Sequence, residues 1–141
     1  MTIKTYDAAK VQVTWAGLIL TGFAPDTFLS VERNVEGFTL QKGASGEGAR
    51  SKSNDKSGKV TLTLLATSQS NDFLMAIAAA DELTGAGVVP LFIKEQDGTT
   101  LVASQNSWVQ KLPKVERGKE SGSVEWVIEC DDLEIAIGGL A

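Results

Sequence analysis

Between Gly58 and Gly85 the apolar residues change their spacing once, and that change constrains the fold more than any other feature of the chain. From Lys59 to Leu65, Val60, Leu62 and Leu64 alternate with Lys59, Thr61 and Thr63. A period of two marks a strand with one buried face. After residues 67–72 the period lengthens: Phe73, Leu74, Ile77 and Ala78 recur at helical spacing, followed by Ala79, Ala80 and Leu83, and Gly85 offers a stop. The wide alanine stripe lets this helix lie close to a sheet. Asp72 falls in its first turn, where the helix dipole favours negative charge; Asp81 and Glu82 fall near the end where it does not. Nothing local in the sequence accounts for those two, and a contact with another chain is one reason they could be kept.

Upstream of the strand, residues 43–57 hold glycines, serines and charges but no large apolar side chain. Ordering such a stretch costs roughly 1–2 kcal/mol of backbone entropy per residue, with no apolar burial to offset it. The expectation is a long polar loop at about 43–58 that is mobile in the free subunit and orders against a neighbouring molecule. An ordinary solvated excursion is the plainer alternative. Glu47, Arg50, Lys52, Asp55 and Lys56 give it both signs of charge.

The rest of the chain reads mainly as strands. Residues 10–20 alternate, with Val11, Val13 and Trp15 on one face, and Gly17 suggests a bulge or a close backbone approach. Residues 22–27 are turn chemistry. Strands follow at 28–33 and 35–41, joined tightly around Asn34, with Phe38 and Leu40 on one side of the second. Beyond the helix, 88–94 is a strand in which Pro90 implies an edge position or a bulge. Asp97-Gly98 is the strongest hairpin signal, and the chain returns at 100–110 with Leu101, Ala103, Trp108 and Val109. Residues 111–119 are locally basic. Residues 123–131 set Val124, Trp126, Ile128 and Cys130 against Glu125, Val127, Glu129 and Asp131, and a last short strand carries Leu133, Ile135 and Ile137. With no repeat or composition break, residues 1–141 read as one domain. It is mainly β, a β-sandwich or partly rolled barrel with one flanking helix.

Composition excludes several chemistries. There is no histidine, which removes the usual zinc signatures and a histidine general base, and the lone Cys130 cannot form an internal disulfide. Cys130 shares the apolar face of Trp126 and reads as a buried, inert thiol. No run approaches a membrane span and the N-terminus has no hydrophobic signal region, so the expectation is a soluble protein of a reducing compartment with no membrane anchor. Gly58-Lys59 lacks the rest of a phosphate loop, and Gly43, Gly46 and Gly48 have the wrong spacing for a dinucleotide fingerprint. The one carboxylate cluster, Glu129, Asp131, Asp132 and Glu134, alternates across a strand and cannot converge. Catalytic, metal and cofactor sites are all expected to be absent. The formal charge of −5 argues against a surface that grips nucleic acid, though not against one that lets it pass. Trp15, Trp108 and Trp126 each fall on a face that reads as core.

Residues 43–47, Arg50, 53–55 and 57–58, continuing into 60–64 and 68–72, resemble the tail tube proteins of contractile-tailed bacteriophages. Tyr6-Asp7, Gly22-Phe23, residues 31–33 and 80–85, Lys119-Glu120 and Glu125-Trp126 fit the same pattern, so the likeness covers nearly the whole chain. Ser45 departs from it, standing where an aspartate is usual. The resemblance implies a homo-hexameric ring whose inner strands form a continuous β-barrel, rings stacked into a tube, and a channel for DNA ejection. It also implies a place in the virion after assembly in the bacterial host cytoplasm, and as partners a sheath protein, a tape-measure protein, a baseplate initiator and a tail terminator. DNA would pass through the lumen without specific binding. On this reading Glu47, Arg50, Lys52, Asp55 and Lys56 form an inter-ring loop. Glu125, Glu129 and Asp131 become candidates to face the lumen, because the other face of their strand must be core. Two alternatives stand beside it: a head–tail connector or tail terminator ring, and a monomeric β-sandwich that binds a ligand through its tryptophans.

Overall fold

The computed structural model describes residues 3–139 as a large antiparallel sheet, one helix and a projecting hairpin. A 3-10 turn at Ala8–Lys10 leads into β1 (Val11–Trp15), which reverses at once into β2 (Leu18–Ile19). Trp15 pairs with Leu18, and the two residues between them are both left-handed, Ala16 at φ 55° and Gly17 at φ 85°. Two successive left-handed residues give the tight turn whose twist suits flanking strands. Gly17 therefore turns the chain, where a bulge within one long strand was expected.

The chain continues through β3 (Leu29–Arg33), β4 (Phe38–Lys42), β5 (Gly48–Lys52), β6 (Gly58–Leu65), α1 (Ser70–Thr84), β7 (Val89–Glu95), β8 (Leu101–Lys111), β9 (Ser123–Cys130) and β10 (Glu134–Ala136). Strands in the large sheet run β2-β1-β7-β8-β9-β6-β3, and β10 pairs the first part of β8. The sheet is not closed into a barrel. β3 pairs with β6 and not with β4, so the bend at Asn34 ends one sheet and starts another.

One face of the sheet holds the core. Val13, Trp15, Val60, Leu62, Leu64, Leu91, Ile93, Val102, Trp126, Ile128 and Cys130 are buried there, with Leu74 of α1 in the same cluster. Both core indoles are satisfied, as buried N–H donors must be. Trp15 Nε1 donates to Ser107 Oγ at 3.1 Å, and that hydroxyl donates to Val89 O at 2.6 Å. Trp126 Nε1 donates to Asn71 Oδ1 at 2.9 Å, which fixes the start of α1 to β9. Phe73 meets Trp15 edge to face at 6.2 Å. The helix ends on Gly85, left-handed at φ 73°, and Gly87 N–H donates to Asp81 Oδ1 at 3.1 Å. Asp81 thus has a local task in shaping the exit from the helix. Gly58 marks a close approach: a Cβ there would stand 2.6 Å from Glu32 O and collide with the Leu133 side chain.

Of the two settings that Pro90 implied, an edge or a bulge, the structure has the bulge. β7 lies between β1 and β8, and the missing N–H falls where the β7–β8 register shifts, since Leu91 pairs with Ser104 but Val89 with Ser107. The extra residue on β8 switches which side chains face the core. Val102 and Ser104 face in before the shift and Ser107 after it, while Leu101 is exposed. Trp108, paired with Glu129, is carried to the opposite face and is only half-buried. It is not a core residue.

Cys130 is fully buried. Loss of solvation pushes its thiol up to about 11 from an ordinary 9.0, with the Ser104 hydroxyl pulling it back and Glu129 adding to the rise. The folded chain keeps the thiol proton to higher pH than the unfolded chain. This group's contribution to stability is therefore intact below pH 9.0 and lost as pH rises towards about 11. Alkylation by iodoacetamide near neutral pH is expected to be negligible in the folded chain and prompt after denaturation. Rapid labelling of folded chain would show the thiol to be open.

Candidate functional site

The polar run becomes one arm of a hairpin. β5 pairs with β4 over five consecutive positions, from Phe38↔Lys52 to Lys42↔Gly48. Residues 43–47 turn the chain, with Gly43 N–H donating to Glu47 O at 2.7 Å and Gly46 left-handed at φ 90°. The expected mobile loop at 43–58 is thus a paired strand over Gly48–Lys52. β5 has no apolar residue larger than alanine; its extended state comes from the ladder it shares with β4.

Alternation gives the hairpin two unlike faces. Phe38, Leu40 and Lys42 share one with Arg50 and Lys52; Thr39 and Gln41 share the other with Ala49 and Ser51. The Arg50 guanidinium lies 4.1 Å from the centre of the Phe38 ring, a contact worth about 0.5–1 kcal/mol at an exposed site. Every residue of both strands is exposed, Phe38 at 48% and Leu40 at 66%. Two large apolar side chains held outward in one ordered element, sharing nothing with the core, mark a contact surface.

The root of the hairpin is pinned firmly. Ser53 N–H donates to Gly37 O at 2.8 Å. Arg33 donates through Nε and Nη2 to Leu133 O, at 3.2 and 2.9 Å. Asn34 Nδ2 donates to Ser57 Oγ at 3.1 Å and to Glu129 Oε1 at 2.8 Å. The charged set read from the sequence divides here. Glu47, Arg50 and Lys52 travel with the hairpin, whereas Asp55 and Lys56 stay at the sheet. Asp55 accepts from Ser57 N–H at 2.9 Å, and its hydrogen bonds to Ser57 hold its carboxyl below the ordinary value. Lys56 pairs with Glu134 at 3.1 Å across an exposed surface, where such pairs contribute about 0–1 kcal/mol.

The second surface is the sheet face opposite the core. Glu125 and Glu129 of β9 point there, across from Thr63 and Lys59 of β6, with Trp108 beyond Glu129 on β8. Asp131 lies past the end of β9 in a bend, its N–H donating to Asn106 O at 3.0 Å. The face carries both signs: Lys59 stands opposite Glu129, and Lys111 and Lys114 line a hollow of about 690 Å³ with Glu125. Sequence reasoning missed the hold of Glu129 on the hairpin root, because Asn34 is ninety-five positions away and the contact depends on the β3–β6–β9 pairing.

A family model described as "Bacteriophage PhiTE tail tube protein" matches residues 21–138. The chain belongs to that family. It is a structural protein of a phage tail. The tail tube chain is 30% identical over 122 residues to "Structural protein ORF10" of Pseudomonas phage KPP10, covering 85% of this chain and 70% of that one. Its fold is similar to that of the tube-terminating cap of the anti-feeding prophage, with a TM-score of 0.67, 11% identity and coverage of 100% and 95%. The sheath/tube terminator of the extracellular contractile injection system PVC aligns with a TM-score of 0.63 at 11% identity, covering 97% of this chain and 100% of that one. In the sheath–tube complex of the same system the values are 0.58 and 11%, with coverage of 94% and 91%. Among the described residues, no helix of the tail tube chain is long and apolar enough to cross a membrane.

Proposed function

We propose that this chain is the repeating subunit of the tail tube, stacked as hexameric rings whose inner strands join into one continuous β-barrel around a DNA channel. Membership of the tail tube family carries this reading. Two features of the chain support it. β2 and β3 each pair on one side only, and closure across subunits removes such edges. The hairpin offers Phe38 and Leu40 to a neighbour in the next ring. The subunit acts by position and not by catalysis, with sheath, tape-measure protein, baseplate initiator and tail terminator as partners, and assembles in the host cytoplasm. Electron microscopy of purified chain with tail initiators is expected to show long tubes.

A tail terminator is the second reading, favoured by the likeness of the fold to a tube-terminating cap and to a sheath/tube terminator. It predicts single rings that stop, so the same images separate the two.

Glu125 is assigned to the channel wall. Carboxylates there repel phosphates, while cations would hold them through released counterions. Glu125→Lys is expected to leave assembly intact and slow DNA ejection, most at low salt where screening is weakest. Unchanged ejection kinetics across salt concentrations would remove Glu125 from the lumen. Glu129→Lys is a less clean probe, because it also removes the acceptor that Asn34 uses at the hairpin root.

A further inference from the structure

We propose that a cavity at the start of β3 is the receptor for the β4–β5 hairpin of a second copy of this chain. The proposal rests on the tube-subunit reading and names the partner site that reading leaves open. The cavity, of about 420 Å³, is walled by Val11, Pro25, Phe28 and Leu29, with Asp26 and Glu95 among its lining residues. It therefore offers apolar walls and two carboxylates, and no cation lines it. Glu95 has one oxygen, Oε2, that is shielded from solvent and has no hydrogen-bond partner. A carboxylate so placed is incompletely compensated within its own chain, and Asp26, exposed at the same cavity, is the carboxylate that an incoming cation meets directly.

The hairpin is the complement in both respects. Its exposed face presents Phe38 and Leu40, and its two strands carry Lys42, Arg50 and Lys52 with no carboxylate. Among the described residues none of these three cations is in an ion pair. Arginine and lysine stems lie well along apolar walls while their heads reach a carboxylate. The two surfaces sit at opposite ends of one strand: the cavity is built around Phe28 and Leu29, and the hairpin departs beyond Arg33. β3 spans about 13 Å between them. Such a head-to-tail contact between unlike patches repeats from copy to copy and extends along an axis.

Crosslinking tests this directly. Thr27 lines the cavity, and Leu40 and Thr27 are both exposed, so cysteines at these positions leave the core alone. Cys130 is buried and contributes no background. Under mild oxidation of assembled full-length protein, Leu40→Cys with Thr27→Cys is expected to give a ladder of disulfide-linked multimers, and each single variant only monomer. Arg50→Glu and Asp26→Arg are each expected to abolish polymerisation, and the two together to restore it. Tubes that form normally in the double-cysteine protein but give no ladder would overturn this contact and leave the tube reading standing. No assembly of any kind by the wild-type chain with tail initiators would overturn the tube reading, and this contact with it.

Discussion

Replacing residues 38–52 with a short glycine–serine link is expected to abolish tubes while the subunit still folds. The ends already meet, since Ser53 N–H donates to Gly37 O at 2.8 Å, so a short link closes the gap without strain. No residue of β4 or β5 is buried, and none belongs to the core cluster. Stability should therefore change by less than about 1 kcal/mol, which moves the unfolding midpoint by no more than about 4 °C in a domain of this size. A narrower cut over 45–54 is a poorer test, because it removes β5 and leaves β4 without its partner. Calorimetry and electron microscopy together decide the matter. Normal long tubes from the linked chain would take the hairpin out of the inter-ring contact. A collapse of the midpoint would show that the hairpin belongs to the folding unit.

The largest loss of stability is expected from Trp15→Ala. Trp15 is fully buried on the core face, against Phe73, and its indole N–H holds the Ser107 hydroxyl. Removing a buried tryptophan costs about 3–5 kcal/mol through lost burial and the cavity left behind. The freed Ser107 hydroxyl keeps Val89 O as its acceptor but loses its own donor. Trp15→Phe keeps most of the apolar contact and drops only the donor, so its cost should fall nearer 1–2 kcal/mol. Equilibrium unfolding in urea measures both. Trp108→Ala, on the half-buried outer face, is the control and should cost clearly less. Equal losses at positions 15 and 108 would contradict the assignment of faces.

What could be read from the sequence follows from where the period of the pattern was uninterrupted. β6, α1 and β9 were legible because each keeps one period from end to end, so residue type alone separates inside from outside. β8 was not, because a single extra residue near Gln105 and Asn106 switches its faces, and the residue that signals a bulge, Pro90, lies on the partner strand β7. Trp108 was misread as core for that reason. Ala16 hid the first turn in the same way, since alanine does not advertise a left-handed backbone. The hairpin was half legible. Its importance showed in the run of charges, but β5, with the sequence Gly-Ala-Arg-Ser-Lys, has little intrinsic strand preference and takes its form from β4. The candidate assembly residues divided for a related reason: proximity along 47–56 conceals the root at Gly37 and Ser53, where the chain leaves the hairpin and rejoins the sheet.

The register shift in β8 also makes this subunit its own optical instrument. Two indoles, Trp15 and Trp126, are sealed in the core and lose their shielding only when the chain unfolds. The third, Trp108, stands on the outer face beside Glu129 and stays within reach of solvent in the folded monomer. Acrylamide therefore has one accessible emitter to quench before association. Any partner that covers this face darkens that signal to the quencher while leaving the other two unchanged. Folding and assembly, usually entangled in a single spectrum, are separated here by an indole displaced from the core by one residue of slack in a strand.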